Sequence, residues 1–250
     1  MATATELIDA RKWAEITLDT DEFKIHGYRS LDFKSPIDDL HVYIEGDGFA
    51  WRTRTQPSSD PTPLNPIALK LALRDPSSTV IYLARPCQYS AIGDPNCSKE
   101  YWTNKRFSTV VIETYQELLN RLVQEFRVKT LTLIGYSGGG AIAALLSGTR
   151  NDVKRLITIA GNLDTYYWTD LHQVTPLMGS LNPATDTSRL ATVAQWHFVG
   201  ADDWIVPPSV SQHYFARFSD SQNVKILTIP HYTHHCCWVE NWPALLQKIN

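Results

Sequence analysis

The residues best suited to chemistry lie in the pentapeptide GYSGG at residues 135–139, which fits the pattern G-x-S-x-G. A strand-like run, TLTLI, leads into it, and an alanine-rich helical run follows. A serine on such a connection has a strained backbone, and small neighbours let the helix pack against the strand. The pattern predicts that Ser137 is a nucleophile and that the N–H of Gly138 faces a developing oxyanion. The alternative is a glycine-rich turn that only packs or that binds phosphate.

A serine hydroxyl becomes a good nucleophile only when a base removes its proton. In chains with this motif, the order is serine, then an acid, then histidine. The last strand-like run, VKILTI, is followed by PHYTHH at residues 230–235. His231 lies too close to the strand end, so the predicted base is His234 or His235. Residues 231–237 also have the types that bind zinc, but they are crowded into one turn.

The acid is expected after the strand-like run QWHFV, where the sequence continues as GADDWIVP. The pattern Asp-x-x-Val-Pro places Asp203 in the usual acid position. Asp202 is interpreted as a turn cap. Asp164 is a rival acid one strand earlier, although a structural or substrate-contacting role fits it better.

A second oxyanion donor normally comes from the loop after an earlier central strand, and here that loop is EGDGFAW. Asp47-Gly48 is the step equivalent to the His-Gly of esterases, and it predicts the N–H of Phe49 as the donor. The alternative is a glycine turn without a catalytic part. Because an unpaired buried charge is costly, we expect Glu45 or Asp47 to be paired with Arg85 or another cation.

Four residues beside these positions are predicted to contact substrate: Asp47, Gly48, Tyr136 and Trp204. The aromatic segment at residues 166–168 and Trp204 are candidates for an acyl or aryl pocket. Ordinary packing explains such aromatic residues equally well.

Strand-like and helix-like segments alternate along the chain, which favours a mainly parallel sheet covered by helices on both faces. Active groups gather at the carboxyl ends of such strands. We predict an α/β-hydrolase fold in a single domain, residues 1–250. Residues 106–126 form a predicted helix, residues 53–66 a surface loop, and residues 162–190 a candidate cap or pocket segment.

The charge balance excludes some classes of partner. The formal net charge is −3, with 23 Lys and Arg against 26 Asp and Glu, so we expect no nucleic-acid partner. No apolar stretch approaches the ~20 residues that span a bilayer, so no integral membrane segment is expected.

The four cysteines, at positions 87, 97, 236 and 237, permit three pairings. A bridge between Cys87 and Cys97 would indicate an oxidising compartment. Four reduced thiols are the alternative.

Taken together, the segments resemble a group of bacterial α/β-hydrolases that are mostly uncharacterised and often predicted to be exported or lipid-anchored. The matching stretches are YIEGDGFAW, YLARPCQY, YWTNKRFS, LIGYSGGGA, IAGNLD, TPLMGSLNP, GADDWIVPP and HHCCW. The group's motifs imply Asp203 as acid and His234 as base. They also imply export and a bridge involving Cys87 and Cys97, although residues 1–15 lack the apolar core of a secretory signal. A periplasmic or exported location is thus favoured over a cytoplasmic one.

These residues predict a serine hydrolase that cleaves a small carboxylic ester or thioester through an acyl-enzyme, without metal or cofactor. A peptidase or acyltransferase would use the same triad. A non-catalytic binding protein on the same fold is the other alternative.

Overall fold

The computed structural model describes residues 8, 13–31, 33–90 and 94–249. Eight strands form one sheet within this part of the chain. They are β1 (Trp13–Asp19), β2 (Lys24–Ser30), β3 (Asp39–Ile44), β4 (Val80–Leu83), β5 (Thr130–Tyr136), β6 (Val153–Ile159), β7 (Ala194–Gly200) and β8 (Val224–Ile229).

The strand order is β1-β2-β4-β3-β5-β6-β7-β8. The first two strands are antiparallel, and β2 is antiparallel to β4. From β4 to β8 every neighbouring pair is parallel. The carboxyl ends of the six parallel strands therefore meet at one edge, and the loops that follow them can converge there.

Six helices lie between or after the strands in the described residues. They are α1 (Ile67–Ala72), α2 (Thr109–Phe126), α3 (Gly138–Ser147), α4 (Thr165–Leu171), α5 (Pro208–Phe215) and α6 (Trp238–Gln247). Three short 3₁₀ helices cover Lys99–Trp102, Pro183–Thr185 and Leu190–Thr192.

The sheet has a buried apolar cluster on each face because alternate strand residues point to opposite sides. Val42 and Ile44 join the cluster that contains α2 and α3. Tyr43, between them, joins the cluster that contains α1 and α6. This arrangement confirms the prediction of a mainly parallel sheet covered on both faces.

Some predicted boundaries were wrong. The helix predicted from residue 106 begins at Thr109, with Ser108 in extended backbone at its N-cap. Residues 53–66 contain no helix and no strand, and a surface loop there stays a prediction. Residues 162–190 contain α4, which was not predicted as a helix.

Candidate active site

Ser137 lies between β5 and α3 with φ 51° and ψ −120°. This is a strained conformation for a residue other than glycine. A Cβ atom on Gly135 would lie 2.2 Å from the carbonyl oxygen of Gly139. A Cβ atom on Gly139 would lie 2.2 Å from the carbonyl oxygen of Ile44. Both glycines are therefore required for the close approach of helix and strand, as the sequence pattern predicts.

The structure brings Ser137, His234 and Asp203 together. His234 Nε2 lies 3.0 Å from Ser137 Oγ, and His234 Nδ1 lies 2.8 Å from Asp203 Oδ2. The side chains of His234 and Asp203 are only 6% and 0% exposed, which weakens competition from water. The contacts form one continuous hydrogen-bonded path from hydroxyl to carboxylate.

The second oxygen of Asp203 is also occupied. Asp203 Oδ1 accepts hydrogen bonds from the backbone N–H groups of Ile205 and Val206, at 2.8 and 2.9 Å. These two donors orient the carboxylate and leave Oδ2 for the imidazole. The loop after β7 thus holds the Asp203 carboxylate through its own backbone, independently of the contact with His234.

Two side chains, those of Tyr136 and Trp238, bond to the backbone of the loop that carries His234. This role of the two residues was not predicted from the sequence. The Tyr136 hydroxyl donates to the carbonyl oxygen of His234 at 3.0 Å, and Trp238 Nε1 donates to the same oxygen at 3.1 Å. Tyr136 Oη also lies 3.0 Å from His235 Nδ1. The hydroxyl of Tyr136 is therefore engaged with the loop, and substrate contact by this residue stays a prediction.

Among the described residues of the 231–237 segment, only His234 hydrogen-bonds to Ser137 Oγ. Nδ1 of His235, the alternative base, contacts the Tyr136 hydroxyl instead. The imidazole of His231 is exposed and lies 3.8 Å from an oxygen of Asp202. The sulfur atoms of Cys236 and Cys237 are bonded to each other, so neither is a free thiolate. Within the described residues, no group of three or more His, Cys, Asp or Glu side chains is arranged to hold a metal ion.

The loop after β3 packs directly on the serine turn. A Cβ atom on Gly46 would lie 3.3 Å from Ser137 Cβ, and one on Gly138 would lie 2.1 Å from Asp47 Oδ1. The carboxylate of Asp47 thus fills the space that a side chain at position 138 would need.

Asp47 pairs with two buried cations. Its oxygens lie 2.9 Å from Arg85 Nη1 and 2.5 Å from Arg106 Nη1. Burial alone would raise the pKa of Asp47, but Arg106 and Arg85 outweigh it, and the pKa is lowered. The expectation that one carboxylate of this loop pairs with Arg85 is confirmed.

Glu45 shows the opposite behaviour, although it is only two residues away. Burial raises its pKa to about 7, and the N–H groups of Gly46, Ala68 and Leu69 oppose the rise only partly. Its Oε1 accepts from the N–H of Ala68 at 3.3 Å, in the first turn of α1. Glu45 therefore supports the start of a helix, without a cation.

Phe49 was predicted as an oxyanion donor, and this prediction was wrong. Its N–H donates to the carbonyl oxygen of Pro61 at 3.0 Å. Gly48, just before it, has φ 65°, and a Cβ atom there would lie 2.1 Å from the same oxygen. The turn at Gly48 therefore directs Phe49 away from the site. By contrast, the N–H of Asp47 has no acceptor among the described residues.

The rival acid, Asp164, belongs to a different pair. Its Oδ2 lies 2.6 Å from His213 Nδ1, and its Oδ1 accepts from the N–H of Tyr167 as the N-cap of α4. His234 is held by Asp203 instead.

The predicted aromatic contacts lie at the surface. Trp204, next to Asp203, is 75% exposed, and Tyr166 is 56% exposed. Their contact with substrate stays a prediction.

Elsewhere, Cys87 and Cys97 form a disulfide, as the resemblance implies. In the part of the chain that the structure describes, no helix is long and apolar enough to cross a membrane.

No protein-family model and no curated protein sequence matches the chain. Solved structures do match it over almost its whole length. An α/β serine hydrolase without a lid from Xanthomonas campestris is 15% identical, with a TM-score of 0.60 over 95% of this chain and 93% of that one. The chain has the α/β-hydrolase fold.

Two further α/β-hydrolase-fold structures agree. An α/β-hydrolase from Penicillium is 11% identical, with a TM-score of 0.66 over 95% of this chain and 96% of that one. An esterase from Pyrococcus furiosus is 12% identical, with a TM-score of 0.64 over 100% of this chain and 93% of that one. At such low identity the likeness establishes the fold, and the activity has to be argued from the site.

Sequence reasoning missed Arg106 and Gln88, both of which contact the loop after β3. Both residues lie within stretches that resemble the hydrolase group, YWTNKRFS and YLARPCQY. Nothing in the residue types alone connects either side chain to position 46 or 47.

Proposed function

We propose that the chain is a serine hydrolase that cleaves a carboxylic ester or thioester through an acyl-enzyme. The observation that supports this most is the hydrogen-bonded path from Ser137 Oγ through His234 to Asp203, at 3.0 and 2.8 Å. Serine, base and acid in this geometry form the machinery of acyl transfer.

In the first half-reaction, Ser137 Oγ attacks the carbonyl carbon while His234 Nε2 accepts the hydroxyl proton. Asp203 stabilises the resulting imidazolium through Nδ1–H and does not itself take the proton. The tetrahedral intermediate collapses when His234 returns the proton to the leaving alcohol or thiol. The product of this half-reaction is an ester between the acyl group and Ser137.

In the second half-reaction, water replaces the leaving group. His234 accepts a proton from the water as its oxygen attacks the acyl carbon. Collapse of the second tetrahedral intermediate breaks the bond to Ser137 Oγ, which recovers the proton from His234. The product is a free carboxylic acid, and these steps use only the chain's own side chains.

We assign the oxyanion hole to the N–H groups of Gly138 and Asp47. Gly138 opens α3 directly after the serine, and the Asp47 N–H follows Gly46, which packs against Ser137. This assignment replaces Phe49. Removal of one such donor costs about 10²–10³-fold in kcat in a comparable protease.

Ester or thioester hydrolysis is the reaction that we favour for this site, in which Ser137 is half-buried and Trp204 is exposed beside Asp203. A peptidase or an acyltransferase would use the same three residues. A binding protein that retains the fold is the alternative from another class, and the continuous path at Ser137 argues against it.

A fluorophosphonate probe tests the proposal, since it reacts with activated serines. We expect rapid labelling of the wild type and none of Ser137→Ala. Ser147→Ala is the matched control, because Ser147 lies in α3, the helix that follows Ser137, and its hydroxyl donates to the carbonyl oxygen of Ala143. Equal labelling of wild type and Ser137→Ala would refute the nucleophile. Esters and thioesters of graded acyl length would then define the substrate class.

A further inference from the structure

The peptide that joins Gly46 to Asp47 is held on its carbonyl side by Gln88. Gln88 Nε2 donates to the carbonyl oxygen of Gly46 at 3.0 Å. Gln88 is fully buried, and its Oε1 accepts from the backbone N–H of Arg85 at 3.0 Å. Both amide atoms of this side chain are therefore committed to fixed backbone groups, which leaves it little freedom to move.

The carbonyl of Gly46 and the N–H of Asp47 belong to the same peptide unit. In a planar trans peptide, these two groups point in opposite directions. A carbonyl fixed on Gln88 therefore directs the Asp47 N–H away from Gln88. A hydrogen bond to the carbonyl also polarises the peptide and strengthens its N–H as a donor.

Two arginines bond to the side chain of Asp47. Arg85 belongs to the turn that also carries Gln88, and Arg106 belongs to a separate loop before α2. Arg85 supplies one cation, and its Nη2 donates to the carbonyl oxygen of Arg106. Arg106 supplies the second cation, and its Nε donates to the carbonyl oxygen of Thr103 at 2.6 Å. The disulfide from Cys87 to Cys97 ties down the turn that carries Arg85 and Gln88.

We propose that Gln88 is a positioning residue for the oxyanion hole: its bond to the Gly46 carbonyl directs the Asp47 N–H at the oxyanion of the tetrahedral intermediate. The inference rests on the proposed hydrolase function. Gln88 itself touches no reacting atom. Its loss should weaken stabilisation of the transition state while ground-state binding is little affected.

The test is Gln88→Met, which keeps most of the side-chain volume and removes both amide atoms. We expect kcat to fall about 10–100-fold, less than the full loss of a donor, while KM changes less than about 3-fold. Phenylboronic acid provides a second readout, because its serine adduct places an oxygen in the oxyanion hole. Its inhibition constant should rise by a similar factor. All rates are normalised to the sites that a fluorophosphonate titrates.

Gln195→Met is the matched control. Gln195 is equally buried, and its amide bonds to the carbonyl oxygen of Leu190 and to the hydroxyl of Tyr214. It lies at the amino end of β7, at the opposite edge of the sheet from Ser137. A purely structural effect lowers the melting temperature in both variants and leaves kcat per titrated site unchanged.

Gln88→Asn provides a second variant if Gln88→Met folds poorly. It keeps a polar amide in the buried position, but its shorter side chain does not reach the Gly46 carbonyl, so kcat should again fall. If the wild type is active and both Gln88 variants retain its kcat and boronic-acid affinity, the inference is overturned and the hydrolase proposal stands. A wild type that neither reacts with the probe nor turns over esters overturns both.

Discussion

Two buried aspartates that follow neighbouring strands of the parallel sheet are each bonded to the Nδ1 atom of a histidine. Asp203 Oδ2 lies 2.8 Å from His234, and Asp164 Oδ2 lies 2.6 Å from His213. Both carboxylates are almost fully buried and follow neighbouring strands, β7 and β6. By the contact between acid and imidazole alone, the two pairs would be equivalent.

The pairs differ at the other nitrogen of the imidazole. His234 is 6% exposed, and its Nε2 meets Ser137 Oγ. His213 is 38% exposed and stacks on the ring of Tyr167 at 4.3 Å, with no hydroxyl at its Nε2 among the described residues. An Asp–His contact by itself thus ties two segments together. A nucleophile at the second nitrogen is what gives the pair a route to chemistry.

Replacement of each histidine by glutamine should give the largest difference in kcat. His234→Gln removes the proposed base, and we expect kcat toward p-nitrophenyl acetate to fall about 10⁴-fold or more. His213→Gln should retain kcat within about 3-fold, because it touches no reacting group. Steady-state kinetics on both variants, with circular dichroism to verify folding, measures the contrast. A loss as large in His213→Gln would show that the second pair takes part in catalysis.

Replacement of each aspartate by asparagine should give a difference in kcat that is almost as large. Asp203→Asn favours the wrong imidazole tautomer, so kcat should fall about 10⁴-fold, as for the equivalent change in a serine protease. Asp164→Asn keeps a side-chain oxygen that can cap α4 but weakens the tie to His213, which costs about 1 kcal/mol of unfolding free energy. The melting temperature should then fall by about 2–4 °C for a chain of this size, with kcat retained. Kinetics and calorimetry on the same preparations separate the two effects.

The contacts among Ser137, Asp203 and His234 could be predicted from the sequence because each residue sits in a local signal. Ser137 lies in a glycine-rich turn after a strand, Asp203 precedes Val-Pro after a strand, and His234 follows the last strand. Chain order then assigned the roles. The same logic left Asp164 as a rival, since nothing local shows that its histidine is His213.

The oxyanion loop was harder to predict because it depends on distant contacts. Phe49 and Asp47 are both preceded by glycine, so the sequence does not distinguish their N–H groups. The carbonyl oxygen of Pro61 accepts from the N–H of Phe49, which leaves the N–H of Asp47 without an acceptor among the described residues. The anchors Arg106 and Gln88 come from separate loops, and residue types alone do not bring those loops together. Helix α4 was missed because Thr, Tyr and Trp have modest helix propensity, and its N-cap, Asp164, was interpreted as a rival acid, a structural residue or a substrate contact.

A smaller difference in kcat is expected between variants of the two tyrosines that contact these histidine segments, Tyr136 and Tyr167. Tyr136→Phe removes the hydroxyl that donates to the His234 carbonyl. Because Trp238 Nε1 still donates to that carbonyl, we expect a fall in kcat of only about 3–10-fold. Tyr167→Phe keeps the ring that stacks on His213, so its kcat should match the wild type. If Tyr136→Phe also matched the wild type, the tryptophan alone would suffice to position the loop.

His197 is buried as well, but no carboxylate among the described residues bonds to its ring. Its ring nitrogens lie 2.8 Å from Thr158 Oγ1 and 3.1 Å from Gln195 Oε1, and burial lowers its pKa to about 3. The unfolded chain binds a proton at His197 below about pH 6.5, whereas the folded chain does not until about pH 3. His197 therefore destabilises the fold as the pH falls through this window.

The size of this effect is bounded by linkage. One group that binds a proton only in the unfolded chain changes the unfolding free energy by at most ~1.4 kcal/mol per pH unit. Urea unfolding at pH 7.5, 6.0 and 5.0 should show a shallower acid-side loss in His197→Gln than in the wild type. Titrating carboxylates contribute equally to both proteins, so the difference between the slopes isolates His197. Equal slopes would mean that the folded chain binds the proton at His197 as readily as the unfolded chain, so burial would not lower the pKa of this imidazole.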